Sequence, residues 1–267
     1  MGCSLMNKKL LFSALFLLFP AAASAAVEAS PNMAKPWQLG MQDAATPVME
    51  QLVWMHNNVL LAMCIGISIF VLALLLYICL RFSRKNNPIP SKTTHNTKLE
   101  VIWTTIPILI LLVIAIPSLR LHYFMERIVE PELTVKIVGY QWYWGYEYPD
   151  NGGIKFDSYM IKDKDLKAGD IRLLSVDNRL VVPVDTKVRL ILTGADVIHS
   201  FAVPAFGIKR DAIPGRLNET WFKATKTGTF YGQCSELCGV GHGFMPIAID
   251  VVSKENFAKW VAAKTKK

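Results

Sequence analysis

The run Gly232-Gln233-Cys234-Ser235-Glu236-Leu237-Cys238-Gly239-Val240-Gly241-His242-Gly243-Phe244-Met245-Pro246 carries two thiols, an imidazole and a thioether within twelve residues. Thiolates and thioethers are soft donors, and imidazole suits copper or zinc. The C-x3-C-x3-H-x2-M spacing lets one compact loop wrap a metal, and the glycines beside His242 let backbone approach closely. A second histidine has to come from elsewhere. His199, in Asp196-Val197-Ile198-His199-Ser200-Phe201, is the best candidate, at the end of a strand-like stretch. His56 and His122 flank apolar segments, and His95 lies in a basic connector.

Four readings of the run compete. A Cys234–Cys238 disulfide suits an oxidising compartment but explains neither His242 nor Met245. A structural zinc site of the Cys2His2 kind leaves Met245 idle. A mononuclear blue-copper site needs one cysteine, two histidines and a weak axial methionine. This chain has that set plus one more thiolate, which a second copper would use if both sulfurs bridged the metals.

A metal loop of this kind needs a rigid support, and the flanking sequence supplies β-rich segments. Leu133 to Val138, Trp142 to Tyr148, Leu180 to Val184, Lys187 to Leu192, Leu217 to Ala224, Gly228 to Gly232 and Pro246 to Val251 are short and rich in β-branched and aromatic residues. Asn151-Gly152-Gly153 is a turn between strand-like runs. Residues 159–180 are polar and read as a long loop. Short strands at regular spacing predict a sandwich or Greek-key barrel over 131–252. Residues 253–267 fit a terminal helix capped by Ser253.

Before this domain the chain is apolar. Val59 to Leu80 and Val101 to Leu119 are uncharged runs, each close to the roughly 20 residues a membrane span needs. Spanning segments satisfy their own backbone hydrogen bonds, so a helical hairpin within 51–125 is expected, with helices at about 55–82 and 99–121. The connector holds Arg81, Arg84, Lys85, Lys92 and Lys98 and no acid before Glu100. The positive-inside rule makes it cytoplasmic, and the β domain external. Residues 26–50 read as an irregular external lead-in. At the start, Lys8 and Lys9, the apolar run Leu10 to Phe19 and Ala23-Ser24-Ala25 describe a signal peptide over 1–25, which would carry Cys3 away. Cys64 and Cys79 fall inside the first span as apolar residues.

The net charge of +8 is local. Residues 131–252 hold fourteen basic and fourteen acidic groups. The excess sits at the termini and the connector, as membrane flanks, and gives no sign of a nucleic-acid partner.

The segment from Leu99 to Val251 resembles cytochrome c oxidase subunit II of the two-helix haem–copper type. The resemblance rests on Gln141-Trp142-Tyr143-Trp144-Gly145-Tyr146-Glu147-Tyr148, Asp196 to Phe201, Asp211-Ala212-Ile213-Pro214-Gly215-Arg216 and the Cys234 to Met245 run. It implies an all-β cupredoxin-like Greek-key barrel anchored by an N-terminal transmembrane helical hairpin. It implies a CuA centre of two copper ions bridged by Cys234 and Cys238. His199 and Met245 would complete one copper, and His242 with the Glu236 carbonyl the other. The Glu236 carboxylate would also reach a magnesium ion shared with subunit I. Trp142 would be the exposed residue through which electrons arrive, with Tyr143 packing near the metal. Glu100 would sit at the mouth of a proton path into subunit I. Glu147, Asp177 and Asp196 are candidates for docking a basic cytochrome c, since opposite charge speeds association.

The implied partners are cytochrome c, subunit I, other oxidase subunits and membrane lipid, in a bacterial inner membrane with the copper domain in the periplasm. The implied function is transfer of electrons from cytochrome c to subunit I, for reduction of oxygen coupled to proton translocation. Other readings are a membrane-anchored copper-delivery protein and a quinol oxidase subunit. The second lacks copper ligands, and this chain keeps all of them. No C-x-x-C-H haem site is present, so the donor is a separate molecule.

Overall fold

The computed structural model describes residues 32–127 and 130–266. The expected signal peptide, with Cys3, lies outside the described residues. Helix α1 (Pro47–Met55) passes through a π turn (His56–Leu60) into α2 (Leu61–Arg81), giving one rod over Pro47–Arg81. It starts earlier than the hydropathy-based estimate near 55. The first turns carry Glu50 and Gln51, which mask the signal. Yet Val48, Met49 and Met55 are buried there. The second rod, α3 (Thr97–Glu126), contains Pro107 and Pro117 and is likewise longer than expected. The side chains of both apolar stretches face outward, as in a pair of spans whose surroundings are lipid or other subunits.

Ten strands form two five-stranded sheets. One has the order β3-β2-β1-β5-β8, the other β4-β10-β9-β6-β7. The first contains β1 (Leu133–Tyr140), β2 (Tyr143–Tyr148), β3 (Ile154–Ser158), β5 (Lys187–Gly194) and β8 (Asn218–Lys223). The second contains β4 (Leu180–Pro183), β6 (His199–Val203), β7 (Ile208–Ala212), β9 (Gly228–Cys234) and β10 (Pro246–Val252). Two pairs, β1 with β5 and β4 with β10, are parallel. The alternating burial along β1 and β5 turns Val135, Ile137, Leu190 and Leu192 inward. They meet Phe201, Phe230, Ile247 and Ile249 of the facing sheet. This is the expected Greek-key sandwich of cupredoxin type.

Three strands escaped the sequence reading. β3 and β7 are sheet edges, and their sequences IKFDS and IKRDA are half solvated. β6 is five residues long and opens on His199, which the sequence puts at the end of a strand-like stretch. The strand expected from Trp142 starts at Tyr143, leaving Trp142 in the turn after β1. Helix α4 (Lys254–Thr265) forms where expected, and Ser253 Oγ accepts the Asn256 N–H.

The segment before α1 ties the first rod to the barrel. Ala45 N–H donates to the Ala205 carbonyl, and Thr225 N–H to that of Ala45. Thr46 is fully buried. Its hydroxyl caps α1 by accepting the Met49 N–H at 3.1 Å and donates to the Phe206 carbonyl at 2.7 Å. Replacing Thr46 by Ala removes the cap and strands a buried carbonyl, at a cost of about 1–3 kcal/mol. Thermal unfolding of the full chain in detergent should show a lower midpoint. An unchanged midpoint would mean that this contact does not seat the helix.

Candidate metal centre

The donors meet at one end of the sandwich, where three strand ends converge. β9 ends on Cys234, β6 starts on His199, and the loop between β9 and β10 carries Glu236, Cys238, His242 and Met245. Ser235 N–H donates to the Ser200 carbonyl, which locks the loop's start against β6. The Cys234 and Cys238 sulfurs are 3.8 Å apart. A disulfide needs about 2.05 Å, so the two are separate thiols. His199 Nδ1 lies 4.0 Å from Cys234 Sγ, and the Glu236 carbonyl oxygen 3.5 Å from it. On the other sulfur, Cys238 Sγ is 3.6 Å from His242 Nδ1 and 3.6 Å from Met245 Sδ. The His199, Cys234 and Cys238 donor atoms all lie within 4.8 Å of one another, and His199, Cys234, Cys238 and Met245 are buried.

The surrounding residues hold these donors in place. A side chain at Gly139 of β1 would put its Cβ 2.8 Å from the His199 ring, so only glycine leaves room for that imidazole. Trp144 is fully buried, donates its indole N–H to the Met245 carbonyl at 3.1 Å, and meets the His199 ring edge-on at 6.0 Å. Asp196 Oδ1 is 2.8 Å from His199 Nε2, and Asp196 Oδ2 accepts the Gln141 N–H at 2.7 Å. That carboxylate fixes the ring so that Nδ1 faces the sulfurs.

Trp142 lies across the loop. Its indole N–H donates to the Cys238 carbonyl at 3.1 Å, and Gln141 Nε2 donates to the same oxygen at 2.8 Å. A Cβ on Gly241 would fall 2.3 Å from the Trp142 ring. The indole is nevertheless 36% exposed, so it reaches both solvent and a ligand residue. Tyr143 stacks between Tyr140 and Tyr159 at centroid distances of 4.6 and 4.4 Å. The sequence reading had quoted Gln141 and Trp144 within a motif without giving either a role, and it gave none to Gly139. A tryptophan on a strand reads as core, and its hydrogen bond to a loop carbonyl has no sequence signature.

The remaining sequence candidates are dispersed. Glu147 is held by Lys136 and Lys155, each at 3.3 Å. Asp177 is exposed and accepts the Tyr159 and Asn178 N–H groups. Glu236 directs only its carbonyl at a sulfur, and the residue is exposed. Glu100 lies in the first turn of α3, and Asn96, the cap of that helix, donates its N–H to Glu100 Oε1 at 3.4 Å.

Burial opposes ionisation of both thiols. At Cys234, hydrogen bonds from His199 and from backbone groups overcome it and bring the pKa down to about 6. At Cys238, burial is reinforced by the neighbouring Cys234 charge, and the pKa is pushed up to about 12. Burial also disfavours charge on His199, but Cys234 and Asp196 on its two nitrogens outweigh this and raise its pKa. Without metal the pair therefore shares one proton at neutral pH. A bound cation would release it, since metal ligands must be deprotonated. Two thiolates, two imidazoles, a thioether and a carbonyl form a soft set that fits copper.

The chain belongs to the cytochrome c oxidase subunit II family. The model of the family's periplasmic domain matches residues 133–252, and that of its transmembrane domain residues 34–121. The chain is 56% identical over 231 residues to the "Probable cytochrome c oxidase subunit 2" of Rickettsia bellii, covering 86% of each. It is 49% identical over 238 residues to cytochrome c oxidase subunit 2 of Phytophthora megasperma, covering 87% of this chain and 89% of that one. Among solved structures it is similar to the periplasmic domain of subunit II of cytochrome oxidase from Bradyrhizobium japonicum. The identity is 61%, with 52% of this chain and 98% of that one covered and a TM-score of 0.49. The chain is thus a membrane-anchored subunit of cytochrome c oxidase.

Two results are expected. In the metal-free, reduced chain, alkylation mapped by mass spectrometry should modify Cys234 at a lower pH than Cys238. A shared midpoint near the ordinary thiol value of about 8.5 would contradict the asymmetry. Gly241→Ala should displace the Trp142 ring while leaving the donors in place. Indole fluorescence should change and copper binding should not. Unchanged fluorescence would mean the ring is not held against the loop.

Proposed function

We propose that this subunit receives electrons from cytochrome c at a binuclear copper centre and passes them to the haem- and copper-bearing subunit I. The observation that carries this is the pair of separate, buried sulfurs, 3.8 Å apart, with donors grouped on both of them. A zinc or mononuclear site would leave at least one donor unused. Cys234 and Cys238 would bridge, His199 and Met245 would complete one copper, and His242 and the Glu236 carbonyl the other. When bound, the pair of ions supplies a one-electron redox site whose charge is spread over both metals.

The protein's own part is to hold and to connect. Donors fixed on strand ends and braced by Trp144 and Asp196 change position little when charge changes, which keeps reorganisation low. Trp142 offers a short route inward, from the exposed indole through its N–H to the carbonyl of a bridging cysteine. A donor haem edge resting on that indole is therefore coupled to the centre.

Docking follows the free carboxylates. Asp157, Asp177 and Asp196 are exposed and make no ion pair with a lysine or arginine among the described residues. Asp157 and Asp196 lie near enough to Tyr140 and Tyr143 to act on their hydroxyls. Together they suit a lysine-rich cytochrome surface. Glu147, neutralised by two lysines, contributes less than its sequence position suggested. The exposed Glu236 carboxylate is available for a magnesium ion shared with subunit I. Glu100, in the first turn of α3, would serve as the mouth of a proton path into subunit I. The basic connector orients the barrel to the periplasmic side of the inner membrane. Oxygen reduction and proton translocation take place in the partner subunits.

In the assembled oxidase, His242→Ala and Met245→Ala should leave the barrel folded, as judged by circular dichroism, and slow electron uptake from reduced cytochrome c. Normal uptake in either variant would refute the ligand assignment. The rate of uptake should also fall steeply with rising ionic strength, and a flat response would rule out an acidic docking face.

A further inference from the structure

Where α3 leaves its apolar stretch, it enters the floor of an open cavity of about 740 Å³ on the barrel's flank. Arg127, Arg189, Arg210 and Arg216 line it, against Glu126, Glu130 and Glu219. Two of the arginines are already engaged. Arg189 forks onto Glu219, with Nε 2.9 Å from Oε2. Arg210 pairs with Glu126 and donates to the Glu219 carbonyl at 2.8 Å. Arg127 and Arg216 make no ion pair among the described residues. Arg127 instead lies over the rings of Phe124 and Trp221, at 4.3 and 4.9 Å.

Trp221 gives a second, independent sign. It is only 7% exposed, and its indole N–H is buried without an acceptor among the described residues. A buried donor left unpaired costs about 1–3 kcal/mol, so the site is incomplete without an acceptor. Unpaired guanidinium groups together with an orphaned N–H suit a group rich in oxygen and negative charge. A phosphate meets both requirements.

The position says where that phosphate comes from. From Leu119, the end of the uncharged run, to Glu126 the helix climbs roughly 10 Å at 1.5 Å per residue. The headgroup layer is roughly 5–8 Å deep, and arginine side chains reach down into it. Leu217, next to Arg216 and 65% exposed, turns an apolar side chain outward at the same rim. We propose that this cavity binds the phosphate of an anionic phospholipid, in the leaflet on the barrel's side, between Arg127, Arg216 and the Trp221 N–H. The lipid would fasten the barrel to the membrane at the flank where α3 already meets it.

The test uses the full chain in mild detergent, stripped of lipid and titrated with phosphatidylglycerol or with phosphatidylcholine of the same acyl chains. Native mass spectrometry counts the lipids retained. The wild type should retain phosphatidylglycerol about tenfold better, equivalent to roughly 1.4 kcal/mol. Arg127→Gln with Arg216→Gln should bring the preference close to parity. Trp221→Phe, which keeps the ring and removes the donor, should weaken it in part, with the far-ultraviolet circular dichroism unchanged. Equal retention of the two lipids by the wild type would overturn the proposal, as would a preference untouched by the arginine changes. Displacement of the lipid by millimolar inorganic phosphate would also overturn it, by assigning the site to a soluble anion. In the assembled oxidase, loss of a neighbouring subunit rather than of lipid on Arg216→Gln would assign the cavity to a protein partner instead.

Discussion

Two sulfur atoms held apart inside a β sandwich are the constraint on which everything else in this protein depends. Left alone in an oxidising compartment, Cys234 and Cys238 would gain by joining. The structure keeps them at 3.8 Å, one at a strand end and one in the loop beyond it. Each sulfur has nitrogen, oxygen or sulfur donors at its side. A soft cation satisfies such an arrangement without moving the backbone. The barrel therefore carries much of the organisation cost before any metal arrives.

The supports radiate outward from that pair. Gly139 makes room for the His199 ring, and Asp196 fixes its tautomer. Trp144 pins the Met245 backbone from the core. Asp196 and Gln141 join the two sides of the site, because the carboxylate bonds both His199 and the Gln141 N–H while the Gln141 amide reaches the Cys238 carbonyl. Trp142 shares that carbonyl, so the indole that meets solvent is braced by the same network that braces the ligands. At the other end, Thr46 and the four-arginine cavity join the barrel to its two helices. The position of the donor cluster relative to the two apolar helices is thus set by contacts within this one chain.

Much of this was legible in the sequence because chemistry and periodicity agreed. The soft donors crowd into one run, and His199 was found by eliminating histidines beside apolar segments. The two spans stood out by the absence of charge. What stayed hidden was relational. β3 and β7 were missed because edge strands keep one side in water and so lose the alternation that marks a strand. The first helix began earlier than expected because Glu50 and Gln51 obscure an apolar face that packs on the barrel. That Lys136, on the neighbouring strand, and Lys155 hold Glu147 could not be read from the sequence either. Asp157, beside Tyr140 on the outer face, had no sequence mark that separated it from other surface acids. Trp144 showed its apolar bulk in the sequence, but not the hydrogen bond that gives it a part in the site.

The most direct test of the central claim is electron paramagnetic resonance of the copper-loaded chain, read with its copper content. Two coppers per chain are expected, with a hyperfine pattern in which one unpaired electron is shared by both nuclei. A single copper with the pattern of one nucleus would contradict it. So would a colourless, spectroscopically silent chain holding zinc or a Cys234–Cys238 disulfide.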